Sequence, residues 1–355
     1  MQKKEHLKAT SLPIIDCDVH VNPKDANVIK AYLEEPWKHR FQLRVDTFFR
    51  SPLQLDGNLF PESGGPVGSD PVLIRKQLLE PHGIKHAILM PKARVSANHD
   101  PDYATAVANA YNRWLADEWL DQGNEDGAFK GSITVAHQDP SAAAAEIDRC
   151  AKHAHFVQVL MDTGSRHLFG QRSYWPIYEA CARNNLPLAL HPGADGEGIN
   201  TLASPGFPSY YLEYYVGLSF AMQVHLVSMI TEGIFERFPT LKIILTEGGA
   251  AWLPALIWRL DAEYKGLRSE VPWLSKKPSE YLVDHVRFTT QPLEGEANDP
   301  RLLDMLSMLQ FDRMLMFSSD YPYSGFESIE QTIPQLPYEQ RERILSYNAK
   351  ELYQL

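Results

Sequence analysis

Eight short apolar runs, rich in β-branched residues, recur along the chain, and most are followed by a stretch with helical spacing. The runs cover residues 13–21, 86–92, 131–136, 156–162, 187–192, 242–248, 286–292 and 315–322. Between and after them the spacing predicts helices over 70–82, 102–120, 140–153, 174–184, 214–238, 250–268, 301–309 and 338–353. The first of these opens on Ser69-Asp70-Pro71 and has Gly83 just past its end, the usual asymmetry of helix start and stop. Strands that alternate with helices make parallel sheet with crossovers, and eight such units favour a closed, distorted (β/α)8 TIM barrel over an open doubly wound sheet. Two stretches, 41–69 and 193–215, exceed ordinary loops and are expected as insertions on the face where the strands end. The whole chain, 1–355, reads as one such domain.

Composition narrows the class without naming the activity. The 355 residues are 44% hydrophobic and 22% charged, enough to bury a large core. A formal net charge of -11 argues against a protein that wraps nucleic acid. No apolar run approaches the roughly 18 residues a membrane span needs, so no membrane partner is expected. The first thirteen residues are polar, without the apolar stretch of a secretory signal. Three cysteines, Cys17, Cys150 and Cys181, are too few for a disulfide framework. A cytoplasmic location is therefore expected.

The informative feature is what ends the strands. The first finishes in Asp16-Cys17-Asp18-Val19-His20, and alternation places Asp18 and His20 on one side, with Cys17 facing away as a buried, inert thiol. The fifth ends in His191, the sixth in Glu247 before Gly248-Gly249, and the eighth in Asp320. Any one of these has an ordinary reading as a satisfied polar group or a turn. Five of them converging at one barrel mouth form a set suited to a divalent metal.

The stretch 233–254, which contains Glu-Arg-Phe-Pro and Glu247-Gly-Gly, is similar to the amidohydrolase superfamily, in its aminocarboxymuconate-semialdehyde decarboxylase branch. Asp18-x-His20 and Ser319-Asp320-Tyr321-Pro322 carry the same resemblance. It implies a metal held by Asp18, His20, His191 and Asp320, with Glu247 as a further ligand or base. It also implies a small carboxylated substrate, and a homo-oligomer. Three positions depart from the pattern: Asp18 where relatives carry His or Glu, Glu247 where they carry a catalytic His, and Tyr323 where they often carry His. The strand-four lysine that becomes a metal-bridging carbamate in many relatives is missing too.

The leading expectation is a hydrolase using one divalent ion (Zn, Mn or Fe), with Asp320 moving the proton. Non-oxidative decarboxylation at the same site is the alternative. A third reading is an oxygenase with a second ion, an Fe or Mn pair, whose ligand set would take in His225; a histidine packed on a helix is the plainer view of that residue. A fourth is a non-catalytic subunit keeping its metal for stability. Lys92, Arg94, Tyr214 and Tyr323 are candidates for substrate binding. His99, Arg166 and His167 rank below them, each with a surface role favoured.

Overall fold

The computed structural model describes residues 12–43, 52, 55–295, 297, 299–323, 326–333 and 335–355. Part of the expected 41–69 insertion, at 44–51 and 53–54, lies outside the described residues. Eight parallel strands form one sheet in sequence order: β1 (Ile14–Val21), β2 (Ile84–Pro91), β3 (Phe129–Thr134), β4 (Phe156–Asp162), β5 (Leu188–His191), β6 (Ile243–Leu245), β7 (Val286–Thr289) and β8 (Leu315–Met316). The sheet closes where β1 meets the segment after β8. Cys17 N–H donates to the Phe317 carbonyl and His20 N–H to the Tyr321 carbonyl, both at 2.9 Å. The fold is a nearly closed (β/α)8 TIM barrel.

The helices that position this barrel are α1 (71–82), α2 (Pro101–Leu115), α3 (Pro140–Cys150), α4 (Trp175–Arg183), α5 (Tyr211–Thr231), α6 (Leu253–Leu267), α7 (Pro300–Ser307) and α8 (Asn348–Tyr353). Four of them start on the same dipeptide, Asp-Pro. Asp70, Asp100, Asp139 and Asp299 each accept a hydrogen bond from a first-turn N–H, while the proline occupies a position whose N–H has no helical partner. Each such cap contributes about 1 kcal/mol.

Alternation sorts the strand side chains into two layers. Val19, Ile133, Leu190, Leu245, Phe288 and Phe317 pack outward beneath the helices. Ile15, Ile88, Met90, Ala189, Ile244 and Met316 fill the interior, with Tyr353 of α8 packed among them. Each large apolar side chain so buried contributes roughly 1.5–3 kcal/mol. Cys17 belongs to this inner cluster with Ile15, two residues before it, and the register of β1 against β2 shifts between Asp16 and Val19, which lets Asp18 and His20 face the same interior. The simple alternation that turned it away does not survive that bulge.

The expected elements are present with different ends. The sixth and eighth strands stop earlier than their apolar runs, because the chain leaves the ladder to present Glu247 and Asp320 in turns. The expected 214–238 helix starts earlier and is interrupted after Thr231 at Gly233, whose φ of 74° ends it.

Candidate metal centre

Asp18, His20, His191 and Glu247 each direct one ligand atom into a space where these atoms lie within 4.8 Å of one another. His20 Nε2 stands 3.2 Å from Glu247 Oε1 and 3.4 Å from Asp18 Oδ1, and His191 Nε2 is 3.2 Å from the same Glu247 oxygen. Asp320 adjoins the set, with Oδ1 3.2 Å from His20 Nε2. The two imidazoles meet edge to face at 4.9 Å. Both Asp18 oxygens, Asp320 Oδ1 and His191 Nε2 are buried without a hydrogen bond. Orphaned oxygen and nitrogen atoms converging in this way fit a cation, since buried polar atoms otherwise find partners.

Local structure holds each donor in place. His191 Nδ1 lies 2.8 Å from the Pro192 carbonyl, so donation there leaves the Nε2 lone pair toward the cluster. Asp16, one turn of strand below Asp18, accepts from the N–H groups of Ser319 and Asp18 and so ties β1 to the Asp320 turn. Glu247 and Asp320 both carry positive φ, 56° and 53°, a conformation that costs non-glycine residues about 1–3 kcal/mol each. The Glu247 turn is braced from outside. Glu294 accepts from the N–H groups of Ala250 and Ala251, and its carboxylate lies where a Cβ on Gly249 (φ 64°) would sit. That is why the residue is glycine.

The electrostatics agree with a cation site. Burial pushes Asp18 up to about 7 and Asp320 well above the usual carboxylate range, with the Glu247 charge adding to both. Burial also acts to raise Glu247, but the imidazoles of His191 and His20 overcome it and hold it well below its ordinary value. His191 is raised to about 9, burial notwithstanding, by the carboxylates of Glu247 and Asp18. The cluster draws in positive charge, as protons or as a metal ion.

Not every candidate reaches this place. His225 does not: its ring stacks on Phe169 at 4.0 Å, Nδ1 accepts from Phe169 N–H, and Nε2 donates to the Thr163 carbonyl at 2.9 Å. Both nitrogens are taken by backbone, which corrects the assignment of His225 as a catalytic group or ligand. Arg94 is also committed, in an ion pair with Glu197, so it is not a free clamp for a substrate carboxylate. Lys92 is exposed, with Nζ 3.4 Å from the centre of the Tyr323 ring, which itself packs against His20. Both therefore stand at the rim of the cluster. Tyr214 faces Asp195 and the Arg94–Glu197 pair, whereas the charges of Glu247 and Asp320 act on its neighbour Tyr215. Asp16 and Glu294 are thus the residues the sequence did not single out. His99, Arg166 and His167 are exposed.

A closed parallel barrel with imidazoles and carboxylates at its C-terminal mouth is the architecture of barrel enzymes that work through a divalent cation. The chain belongs to the amidohydrolase family: the family model described as Amidohydrolase matches residues 15–355. It is 28% identical over 296 residues to gamma-resorcylate decarboxylase of a Polaromonas species, covering 79% of this chain and 86% of that protein. It is 23% identical over 230 residues to the 2-amino-3-carboxymuconate-6-semialdehyde decarboxylase of Dictyostelium discoideum, with 63% and 60% covered.

Among solved structures, the 5-carboxyvanillate decarboxylase of Sphingomonas paucimobilis superposes with a TM-score of 0.70 at 22% identity, over 97% of this chain and 100% of that one. The dihydroxybenzoic acid decarboxylase of Polaromonas, solved with manganese and the inhibitor 2-nitroresorcinol, gives 0.67 at 24%, with 97% of each chain covered. These relatives correct the leading expectation of hydrolysis, because all four are decarboxylases, three of them of aromatic carboxylates. Among the described residues, no helix is long and apolar enough to cross a membrane.

Proposed function

We propose that this protein is a divalent-metal-dependent, non-oxidative decarboxylase of a small aromatic carboxylate. The observation that carries the reading is the buried set Asp18, His20, His191 and Glu247, with Asp320 beside it and Lys92 at its rim. The first four would hold the ion. Their two carboxylates, and the manganese in the Polaromonas relative, favour one Mn over Zn. Such an ion, when bound, supplies Lewis acidity that holds the substrate carboxylate and a neighbouring oxygen.

The chain's own groups do the rest. The Lys92 ammonium attracts the carboxylate to the mouth. Asp320 holds a proton at a carboxyl oxygen and delivers it to the ring carbon. As the carbon–carbon bond breaks, CO2 leaves, the bonding pair remains on that carbon, and the new C–H bond takes it up. Tyr215 walls the aromatic ring. Glu247, which cannot donate as an imidazolium does, serves as ligand.

The homo-oligomer expected from the resemblance has a physical basis in α5. Its exposed Leu212, Val216, Phe220 and Val224 fall four residues apart on one ridge of a helix whose single charged residue is Glu213. We expect a second copy to cover it. Light scattering would then give a mass of at least two chains, reduced in Val216→Lys.

The test of the activity is CO2 release by Mn-loaded protein from a panel of ortho-hydroxylated benzoates, 2,6-dihydroxybenzoate and 5-carboxyvanillate among them. Release from at least one, abolished in Asp320→Asn, is expected. No release from any of them, with manganese verified as bound, overturns the reading.

A further inference from the structure

Arg287 is an unusual residue for its place. It pairs with Ile244 in the sheet, and Ile244 belongs to the interior cluster, while Val286 and Phe288 on either side of Arg287 pack outward. Its side chain therefore starts inward near the N-terminal end of β7, where barrel interiors are filled by apolar groups. Nη1 donates to the carbonyls of Val283 and Val286 at 2.8 and 2.9 Å. Nε is buried with no hydrogen-bond partner. Among the described residues, no carboxylate forms an ion pair with this guanidinium. A guanidinium cannot shed its proton, so the charge persists, and the carboxylates of Glu351 and Asp284 act on it from beyond contact, against Arg313 and Arg343.

The group opens onto a cavity of about 220 Å³ at the end of the barrel opposite the metal centre. Lys242, Asn185 and Gln354 add donors to its lining, and Leu186 and Leu352 add apolar wall. Lys242 Nζ donates to the Asp284 carbonyl at 2.5 Å. The one carboxylate in the lining, Glu351, lies 3.8 Å from Arg343 Nη2, so its charge is shared with a cation outside the cavity. In a chain of net charge -11, this concentration of cations runs against the average.

We infer that this cavity binds a small oxyanion, a phosphate or a carboxylate, between the Arg287 guanidinium and the Lys242 ammonium. A guanidinium edge presents parallel donors that match two oxygens of either group. The volume accommodates a tetrahedral oxyanion with water, at roughly 30 Å³ per water molecule, or a short organic acid. Because the folded barrel alone assembles the donors, the anion stabilises it by mass action.

Calorimetric titration of the full chain with inorganic phosphate, and separately with benzoate, tests this at ionic strength held constant with NaCl. Thermal unfolding is followed in the same solutions. Saturable binding and a melting temperature that rises and levels off are expected for at least one anion. The tighter of the two distinguishes an inorganic phosphate source from an organic acid. Arg287→Met should weaken binding by about tenfold or more, and the half-buried Lys242→Met by several-fold with turnover at the metal centre unchanged. Should Arg287→Met fail to fold, Lys242→Met decides alone. No saturable binding of either anion, or affinities unchanged in the variants, overturns the proposal.

Discussion

The mouth and the interior floor of this barrel are built from the same strands and obey opposite rules. At the floor, Ile15, Ile88, Ala189, Ile244 and Met316 are apolar, buried and packed with Tyr353, and none of these six carries positive φ. At the mouth, Asp18, His20, His191, Glu247 and Asp320 are polar and crowded, and two of them occupy a backbone conformation that L-residues avoid. The floor lowers the free energy of the fold, and the mouth spends part of that stability on a geometry that only a cation or a proton satisfies. The two should therefore separate under mutation.

The sharpest break comes at the mouth. Replacing His191 with Ala should remove the bound metal and lower kcat/KM on the order of 10³-fold, as read by elemental analysis and CO2 release, with the denaturant midpoint of the metal-free protein barely changed. A comparable loss of midpoint would mean that the donor is structural. Chelation of the wild type should abolish turnover in the same way, and added Mn should restore it.

At the floor the pattern inverts. Met316→Ala should cost about 2–5 kcal/mol in equilibrium denaturation, while metal content stays that of the wild type. Between the two lies the brace of the Glu247 turn. Gly249→Ala forces a Cβ onto Glu294 at positive φ and should cost about 1–3 kcal/mol, with kcat reduced because Glu247 moves. An unchanged kcat would detach that brace from the site. Smallest of all, Asp70→Ala removes the cap of α1 and should cost about 1 kcal/mol, with activity untouched.

Much of this was legible because it is local. Short apolar runs marked the eight strands, Asp-x-His placed two donors on one side of β1, and Asp70-Pro71 marked a helix start that recurs at three further Asp-Pro pairs. What was not legible depends on partners far along the chain. His225 finds Thr163 and Phe169 some sixty residues away, and Arg94 finds Glu197 about a hundred residues on, so neither commitment leaves a local trace. The positive φ of Glu247 and Asp320 ended their strands early, because a run of apolar residues says nothing about the turn beyond it. Helix α5 begins at Tyr211 rather than at 214, and it is on Tyr215 rather than Tyr214 that the charges of Glu247 and Asp320 act.

On the proposed reading, the mouth gathers its donors around a single divalent ion. Elemental analysis of protein purified without added metal, compared with Asp18→Ala prepared in parallel, tests it most directly. About one divalent ion per wild-type chain is expected, manganese foremost, and almost none in the variant. Nearly two ions per chain, or equal metal in the variant, would contradict it.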